Sequence, residues 1–473
     1  MCSIIATNII GTNALYANKY TKNRGPDHLS YCRGKGIQFV HNLLSITGTF
    51  TPQPFVDKEN EIICLFNGEI YNAFDLGEYK TDGECLIPLY KEYGDDIAKH
   101  IDGEYAILIV DYKKEEIILI SDAFLTKPLW FFKNNKEAEW GIGTYKSCID
   151  LLGLTSNPND PIRMPPNKTL VFNLDLNLKR EKTNIEWDLN QHKSNYDDWV
   201  NAFQQSMYKR AVNQVREKIF IGMSSGYDSG AIACELNQQK APFHIYSVVS
   251  NENKEILKKR FNMVNRRASI SYLGHNDIIN SPDWQDDYSS IGSQFIDCSG
   301  YYRSAQQHIR DMVEPYTYEI YSDRSDYTEH VQLHSDGGAC AFALICHLAK
   351  RDEKKIYISG SGADEIYSDY GWNGIGKTKH SNFGGMYPKD LSSIFPWPSF
   401  YGSSQISYLT KEEMVGGSYG IECRYPFLDP KCVQEFLWLK PELKNKYYKS
   451  VIHYYLKEHD FPFCENQKIG FWF

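Results

Sequence analysis

A chain of 473 residues is too long for one ordinary hydrophobic core, so two or three domains are expected. A formal net charge of −9 argues against a general nucleic-acid binder, which needs a basic surface. Twelve cysteines without a CxxC pair or a repeated spacing point to free thiols in a reducing compartment rather than to zinc.

The first part of the chain is β-rich. Residues 3–10, 37–40, 62–66, 105–111 and 117–121 have the β-branched and aromatic content of strands. A helix is predicted over 84–93, with Leu86, Leu89, Tyr90 and Tyr93 on one side. Residues 153–168 are rich in Pro and Asn and read as loop, 169–174 as one more strand, and the polar run 177–195 as an interdomain linker. From Asp197 helices alternate with apolar strands: helix 199–215, strand 219–223, helix 231–237, strand 244–249, then helix 339–350 and strand 355–359. That alternation predicts a parallel sheet covered by helices. The short basic cluster Lys258-Lys-Arg260 with Arg266 and Arg267 reads as a solvated helix face. No apolar stretch reaches the length of a membrane span, and Met1-Cys-Ser-Ile-Ile-Ala lacks the basic start of a signal peptide, so a cytoplasmic protein is expected.

Several stretches carry chemistry. Cys2, once Met1 is removed, becomes a residue whose own α-amine can activate its thiol. Downstream lie Arg24-Gly-Pro-Asp27, Asn67-Gly-Glu-Ile-Tyr-Asn72 and Thr81-Asp-Gly-Glu84. In the second half, Met223-Ser-Ser-Gly-Tyr-Asp-Ser229 is a turn of small polar residues between a strand and a helix. Such a turn aims backbone N–H groups and a helix N-terminus at one spot, which suits a phosphate. Hydroxyls of Ser224, Ser225 and Ser229 add donors, and Asp228 offers a hard oxygen for Mg²⁺. It is not a Walker loop, because no Gly-Lys-Ser/Thr follows. A second strand ends in the turn Ser359-Gly-Ser-Gly-Ala-Asp-Glu365.

The N-terminal motifs, over about residues 1–185, resemble the class II glutamine amidotransferase domain. Residues 186–473 resemble the PP-loop synthetase domain of asparagine synthetase B and the β-lactam synthetases, through the two turns and Gly420-Ile-Glu-Cys-Arg-Tyr-Pro-Phe-Leu-Asp429. The resemblance implies an α+β Ntn-hydrolase domain (an αββα sandwich) followed by an α/β Rossmann-like PP-loop ATPase domain. Carried over by motif, Asn67 and Gly68 form the oxyanion hole for Cys2, and Arg24, Glu69 and Asp82 hold glutamine. Met223, Ser224, Ser225, Gly226, Asp228, Ser229, Val248, Ser359 and Gly360 hold ATP and pyrophosphate. Asp228 and Asp364 ligate Mg²⁺, and Lys449 contacts the acyl-adenylate. Ser361, His334 and Asp336 lie on the acceptor side. The Gly420–Asp429 string is expected to be architectural, with Glu422 and Arg424 as candidates to face the site.

Three positions depart from the family pattern. Leu43 stands where the family carries the arginine that pairs with the glutamine carboxylate, Ser225 where a glycine is expected, and Ser361 where asparagine synthetases carry glutamate. The implied reaction is amide formation: Cys2 hydrolyses glutamine, and ammonia passes to a site where ATP and Mg²⁺ adenylate aspartate or a related acid. A lactam-type synthetase acting on another carboxylate, or a catalytically degenerate regulatory homologue, is the alternative. Only small-molecule partners are expected, with neither nucleic acid nor membrane, and a homodimer is allowed.

Overall fold

The computed structural model describes all residues except 10, 12, 135–137, 156–160, 213–217, 250–251, 265–267, 275–293, 323–326 and 469–473. The chain forms two units, Met1–Glu186 with Gly416–Glu422, and Trp187–Val415 with Cys423–Phe473. The expected boundary near 185/186 therefore omits one feature: the start of the Gly420–Asp429 string, with the residues before it, belongs to the first unit.

The first unit is built on twelve strands: β1 (Ser3–Thr7), β2 (His28–Gly34), β3 (Ile37–Leu43), β4 (Phe55–Asp57), β5 (Ile62–Ile70), β6 (Gly103–Asp111), β7 (Glu116–Ser121), β8 (Trp130–Asn134), β9 (Glu139–Gly143), β10 (Ile162–Arg163), β11 (Lys168–Asn173) and β12 (Leu178–Thr183). They make two six-stranded sheets, ordered β10-β8-β9-β1-β3-β2 and β12-β11-β7-β6-β5-β4. The apolar runs of β6 and β7 show no polar alternation because both faces are covered. Ala106, Leu108, Val110, Ile117 and Leu119 pack toward Ile4, Phe39 and Trp140 of the other sheet. Their neighbours Ile107, Ile109, Ile118 and Ile120 pack instead with Leu86, Leu89 and Tyr90 of helix α1 (Leu86–Tyr93). On the outer side of the first sheet, α2 (Lys146–Asp150) lies against Gly141 and Gly143 of β9, whose missing side chains leave room for Ile149 and Cys148.

The linker expectation fails over 178–183, which form edge strand β12, hydrogen-bonded to β11. Its sequence Leu-Lys-Arg-Glu-Lys-Thr is polar on both faces because the charges lie along a sheet edge, where they discourage further strand pairing. Arg180 bonds Asp95 at 2.6 Å and Glu116 at 2.7 Å, and Lys182 bonds Asp95 at 2.7 Å and Asp96 at 2.8 Å.

The second unit alternates helix and strand, as its sequence predicts. Helix α3 (Asp197–Ala211) leads to β13 (Ile219–Gly222), α4 (Tyr227–Gln238), β14 (Phe243–Val248), α5 (Lys254–Val264), β15 (Ala268–Gly274) and β16 (Gln294–Asp297). A hairpin of β17 (Thr317–Ser322) and β18 (Tyr327–Gln332) precedes a helix over Gly337–Arg351 and strand β19 (Ile356–Ile358). The sheet order is β16-β15-β14-β13-β19, completed by strand Glu422–Arg424. From β13 the chain builds outward in one direction and then returns to place β19 on the other side. The turns leaving β13 and β19 thus sit side by side at a topological switch point, where open parallel sheets bind ligands.

The string ending in Pro-Phe-Leu-Asp429 is a packing element. Asp429 accepts from Lys431 N at 3.0 Å, capping the helix Pro430–Trp438, and pairs with Arg210 at 2.8 Å and Lys209 at 2.5 Å. Burial alone would raise its carboxyl, but the two cations hold it well below the ordinary carboxylate range. Asp429→Ala leaves Arg210 buried without its carboxylate, and is expected to destabilise the protein by about 3–5 kcal/mol, read from the urea midpoint at neutral pH. Because the folded carboxyl titrates below its unfolded value, the difference between the two proteins should shrink as pH falls below about 4.

Candidate active sites

The first site lies in the first unit, where β1 begins and β5 ends. Its cavity is lined by Cys2, Leu43, Thr47, Gly68, Glu69, Asp82 and Glu422 among others. Burial pushes the Cys2 thiol up to about 11, against the lowering pull of the N-terminal charge. The terminal amine itself lies 3.6 Å from Glu422, and both groups are buried. Burial likewise raises Asp82 to about 6, with Glu422 adding to the rise, although Asp82 accepts from Ile70 N at 2.9 Å and Thr81 Oγ1 at 3.1 Å. Sequence reasoning left Glu422 as a mere candidate; its motif neighbours drew attention to packing instead.

Asn67 is fully buried, and neither its Oδ1 nor its Nδ2 has a hydrogen-bond partner among the described residues. An amide left unpaired in a dry site is costly unless something else completes it, so it is a ready donor for an oxyanion. Gly68 sits at φ 145°, and a Cβ there would collide with the carbonyl oxygen of Glu104. Only glycine fits, which explains the Asn-Gly pair in physical terms. Arg24 behaves differently from expectation. Its Nε donates to the Cys2 carbonyl at 2.9 Å and its Nη1 to Tyr145 Oη at 2.6 Å, so it braces the backbone at Cys2 and does not line the cavity.

The second site fills a cavity of about 600 Å³ in the second unit. Ser224, Asp228 and Ser229 line it from the β13 turn, and Gly360, Ser361 and Asp364 from the β19 turn. Helix α4 begins at Tyr227, four residues earlier than the periodicity predicts, which puts its N-terminus directly on the serine turn. Asp228 and Asp364 converge on one cation: Lys449 Nζ lies 2.6 Å from Asp228 Oδ1 and 2.8 Å from Asp364 Oδ1. Lys468 also pairs with Asp364, and Tyr448 Oη donates to it at 2.9 Å. Burial would raise Asp364, yet Lys449 and Lys468 hold it well below the usual range. Lys468 is assigned no role from the sequence.

The ammonium between the two aspartates stands where a divalent ion would find two hard oxygens. Among the described residues no group of three or more His, Cys, Asp or Glu could hold a metal. Two carboxylates suit Mg²⁺, which takes its remaining ligands from phosphates and water.

Behind the turn, Arg260 is fully buried rather than solvated. It donates to Gly226 O and Pro462 O at 2.6 Å each, and to Ser224 O. The turn's own N–H groups are tied as well, Ser224 N to Ser229 Oγ at 3.0 Å and Gly226 N to Ser224 Oγ at 3.2 Å, so the loop is fixed from both sides. Arg266 and Arg267 lie outside the described residues. Ser225, too, is turned away from the cavity: its N and Oγ donate to Glu252 Oε2 at 2.6 and 2.5 Å. Met223, Gly226, Val248, Ser359 and His334 do not line the cavity either. Asp336 lines it while accepting from Gly338 N at 2.8 Å and Tyr318 Oη at 2.8 Å and pairing with Lys411 at 3.0 Å.

Ser361 Oγ donates to Glu412 Oε1 at 3.0 Å, and Ser359 Oγ to Glu412 Oε2 at 2.7 Å. Burial raises Glu412 to about 7, more than the two hydroxyls lower it. No sequence signal marks this glutamate, which sits inside the helix Ser403–Ser418 without a motif around it.

Residues 1–150 match a family described as the glutamine amidotransferase domain. Over most of its length the chain is similar to glutamine-hydrolysing asparagine synthetases. A Bacillus subtilis relative of that name is 21% identical over 91% of this chain and 66% of its own length. One from Saccharomyces cerevisiae is 27% identical over 91% of this chain and 74% of its own length. A Methanocaldococcus jannaschii protein that bears the name provisionally is 24% identical over 86% of this chain and 70% of its own. Over most of its length the chain is thus similar to the asparagine synthetase B-type family. It spans about two thirds to three quarters of the length of these relatives. Among solved structures, a glutamine phosphoribosylpyrophosphate amidotransferase from B. subtilis covers 58% of this chain and 81% of its own at 13% identity, with a TM-score of 0.31, too remote to argue from.

The geometry at Gly68 is testable directly. Gly68→Ala must shift the backbone of β5 away from Glu104, and is expected to lower the thermal midpoint by several degrees. An unchanged midpoint would show that the positive φ is not required.

Proposed function

We propose that this chain is a glutamine-dependent, ATP-consuming carbon–nitrogen ligase of the asparagine synthetase type. Its first domain, about 1–185, is read as an Ntn-hydrolase-type amidotransferase and its second, 186–473, as a PP-loop synthetase. The observation that best supports the reading is the convergence of Asp228 and Asp364, from neighbouring strand ends, on one cation position.

The residues act as follows. With Met1 removed, the α-amine of Cys2 takes the thiol proton, which a thiol raised by burial needs. The thiolate adds to the side-chain amide carbon of glutamine, and Asn67 with the Gly68 N–H holds the oxyanion. Ammonia departs with that proton, and water hydrolyses the thioester. Asp82 and Glu69 hold the glutamine amine.

At the second site the serine turn and α4 N-terminus bind phosphates, and Lys449 and Lys468 balance their charge. Mg²⁺, held by Asp228 and Asp364, supplies further neutralisation when bound. A carboxylate oxygen of the acceptor, aspartate or a related acid, displaces pyrophosphate from ATP to form an acyl-adenylate. Ammonia then attacks the acyl carbon, AMP leaves, and Glu412 beside Ser361 takes the proton from nitrogen.

Two measurements test this. Cys2→Ala should abolish ammonia release from glutamine and glutamine-driven synthesis, yet spare synthesis from added ammonium; equal loss with both nitrogen sources in a folded protein would sink the two-site reading. Glu412→Gln should slow ammonium-driven synthesis by about 10²–10⁴-fold. In the unaltered protein the rate should rise with pH through about 7, where Glu412 loses its proton, when free ammonia is held constant across the series. That limb should vanish in the variant.

A further inference from the structure

The cavity at Cys2 has a charge pattern that a free amino acid does not complement. Glu69, Asp82 and Glu422 line it, and among the described residues no lysine, arginine or histidine does. The guanidinium of Arg24 is spent on the Cys2 carbonyl and Tyr145. At the position of Leu43 the wall is apolar, continued by Leu44. A ligand ammonium meets carboxylates here. A ligand carboxylate would meet like charge and an apolar wall, with no side-chain cation to pair it, since the terminal amine already lies beside Glu422.

Neutral polar groups take the place of a cation. Ser45, Thr47, Thr49 and Thr51 line the same cavity. Thr47 is buried, and its Oγ1 has no hydrogen-bond partner among the described residues. A hydroxyl in that state can donate to a carbonyl oxygen without requiring that the ligand be charged.

We propose that the Cys2 site takes amine-bearing primary amides whose α-carboxyl is masked, as an ester or a peptide bond, at least as well as it takes free glutamine. The proposal rests on Cys2 being the amide-cleaving nucleophile and specifies the donor it cleaves. The chemistry is unchanged: the thiol sulfur bonds to the side-chain amide carbon, the C–N bond breaks, and the nitrogen leaves as ammonia with the thiol proton. Water then cleaves the thioester to the side-chain acid and free thiol. The masked end of the donor takes no part.

The test uses the full chain with Met1 removed, verified by mass. Cys2-dependent ammonia release is measured with L-glutamine, L-glutamine methyl ester and the dipeptide glutaminylglycine, with Cys2→Ala as the blank. The expected result is a kcat/KM for the masked donors equal to or above that for glutamine. Leu43→Arg should swing the glutamine-to-ester ratio at least tenfold toward glutamine, mainly through KM. If that variant does not fold, the three-donor comparison on the unaltered protein decides alone. A tenfold or greater preference for free glutamine over both masked donors overturns the donor assignment and leaves Cys2 as a glutaminase. Absence of Cys2-dependent ammonia from all three donors overturns the nucleophile reading, and the donor assignment with it.

Discussion

Two carboxylates carried to the same point by neighbouring strands cannot both stay ionised in a buried site unless a cation lies between them. Asp228 and Asp364 are in that position, and the ammonium of Lys449 supplies the cation. The arrangement of the second unit serves this one constraint. The order of the parallel sheet brings the ends of β13 and β19 together, and each strand hands directly into a helix whose first turn carries one of the aspartates. Arg260 fixes the first turn from below, while Tyr448 and Lys468 secure Asp364. The cluster is thus tied from several elements at once, with both aspartates held at one point.

Burial acts in a similar way on two other groups, with different chemical results. It raises the Cys2 thiol, so that forming its thiolate requires a base close by. It raises Glu412 to near neutrality, so that a carboxylate becomes able to accept a proton from nitrogen. A neighbouring cation pulls each group the other way, the N-terminal charge at Cys2 and Lys411 at Glu412, but burial outweighs both. The second unit thus combines a carboxylate held acidic by lysines with one held basic by its dry surroundings.

Much of the site was legible in the sequence because small-residue turns after apolar strands leave a local signature. The Ser224–Ser229 turn, the Gly360–Asp364 turn and the Asn67-Gly68 pair all belong to that class. The residues that were missed act across long sequence distances. Glu412 reaches Ser361 from a helix with no motif, and Arg260 looked like one more cation on an amphipathic helix face. Arg24 was found, but its guanidinium points to the Cys2 carbonyl and Tyr145 and not into the cavity, because a motif reports that a guanidinium is needed and not which way it points. The strand β12 was hidden for another reason. An edge strand carrying charges on both faces has neither the alternation nor the apolar run that a strand reading relies on.

Lys449 stands at φ 49° and ψ 56°, in the left-handed region that an unbranched lysine tolerates poorly, immediately before the helix Ser450–Glu458. A chain selected for stability alone would place glycine or asparagine there, gaining about a kcal/mol of backbone relief. Retaining lysine puts the charge at a point that a relaxed backbone would aim elsewhere. The strain is therefore directional: it converts a local backbone cost into the angle from which an ammonium enters the space between two aspartates. Engineering this protein for heat resistance by consensus relief of strained positions would, at this one residue, trade rigidity of the backbone against the placement of that charge.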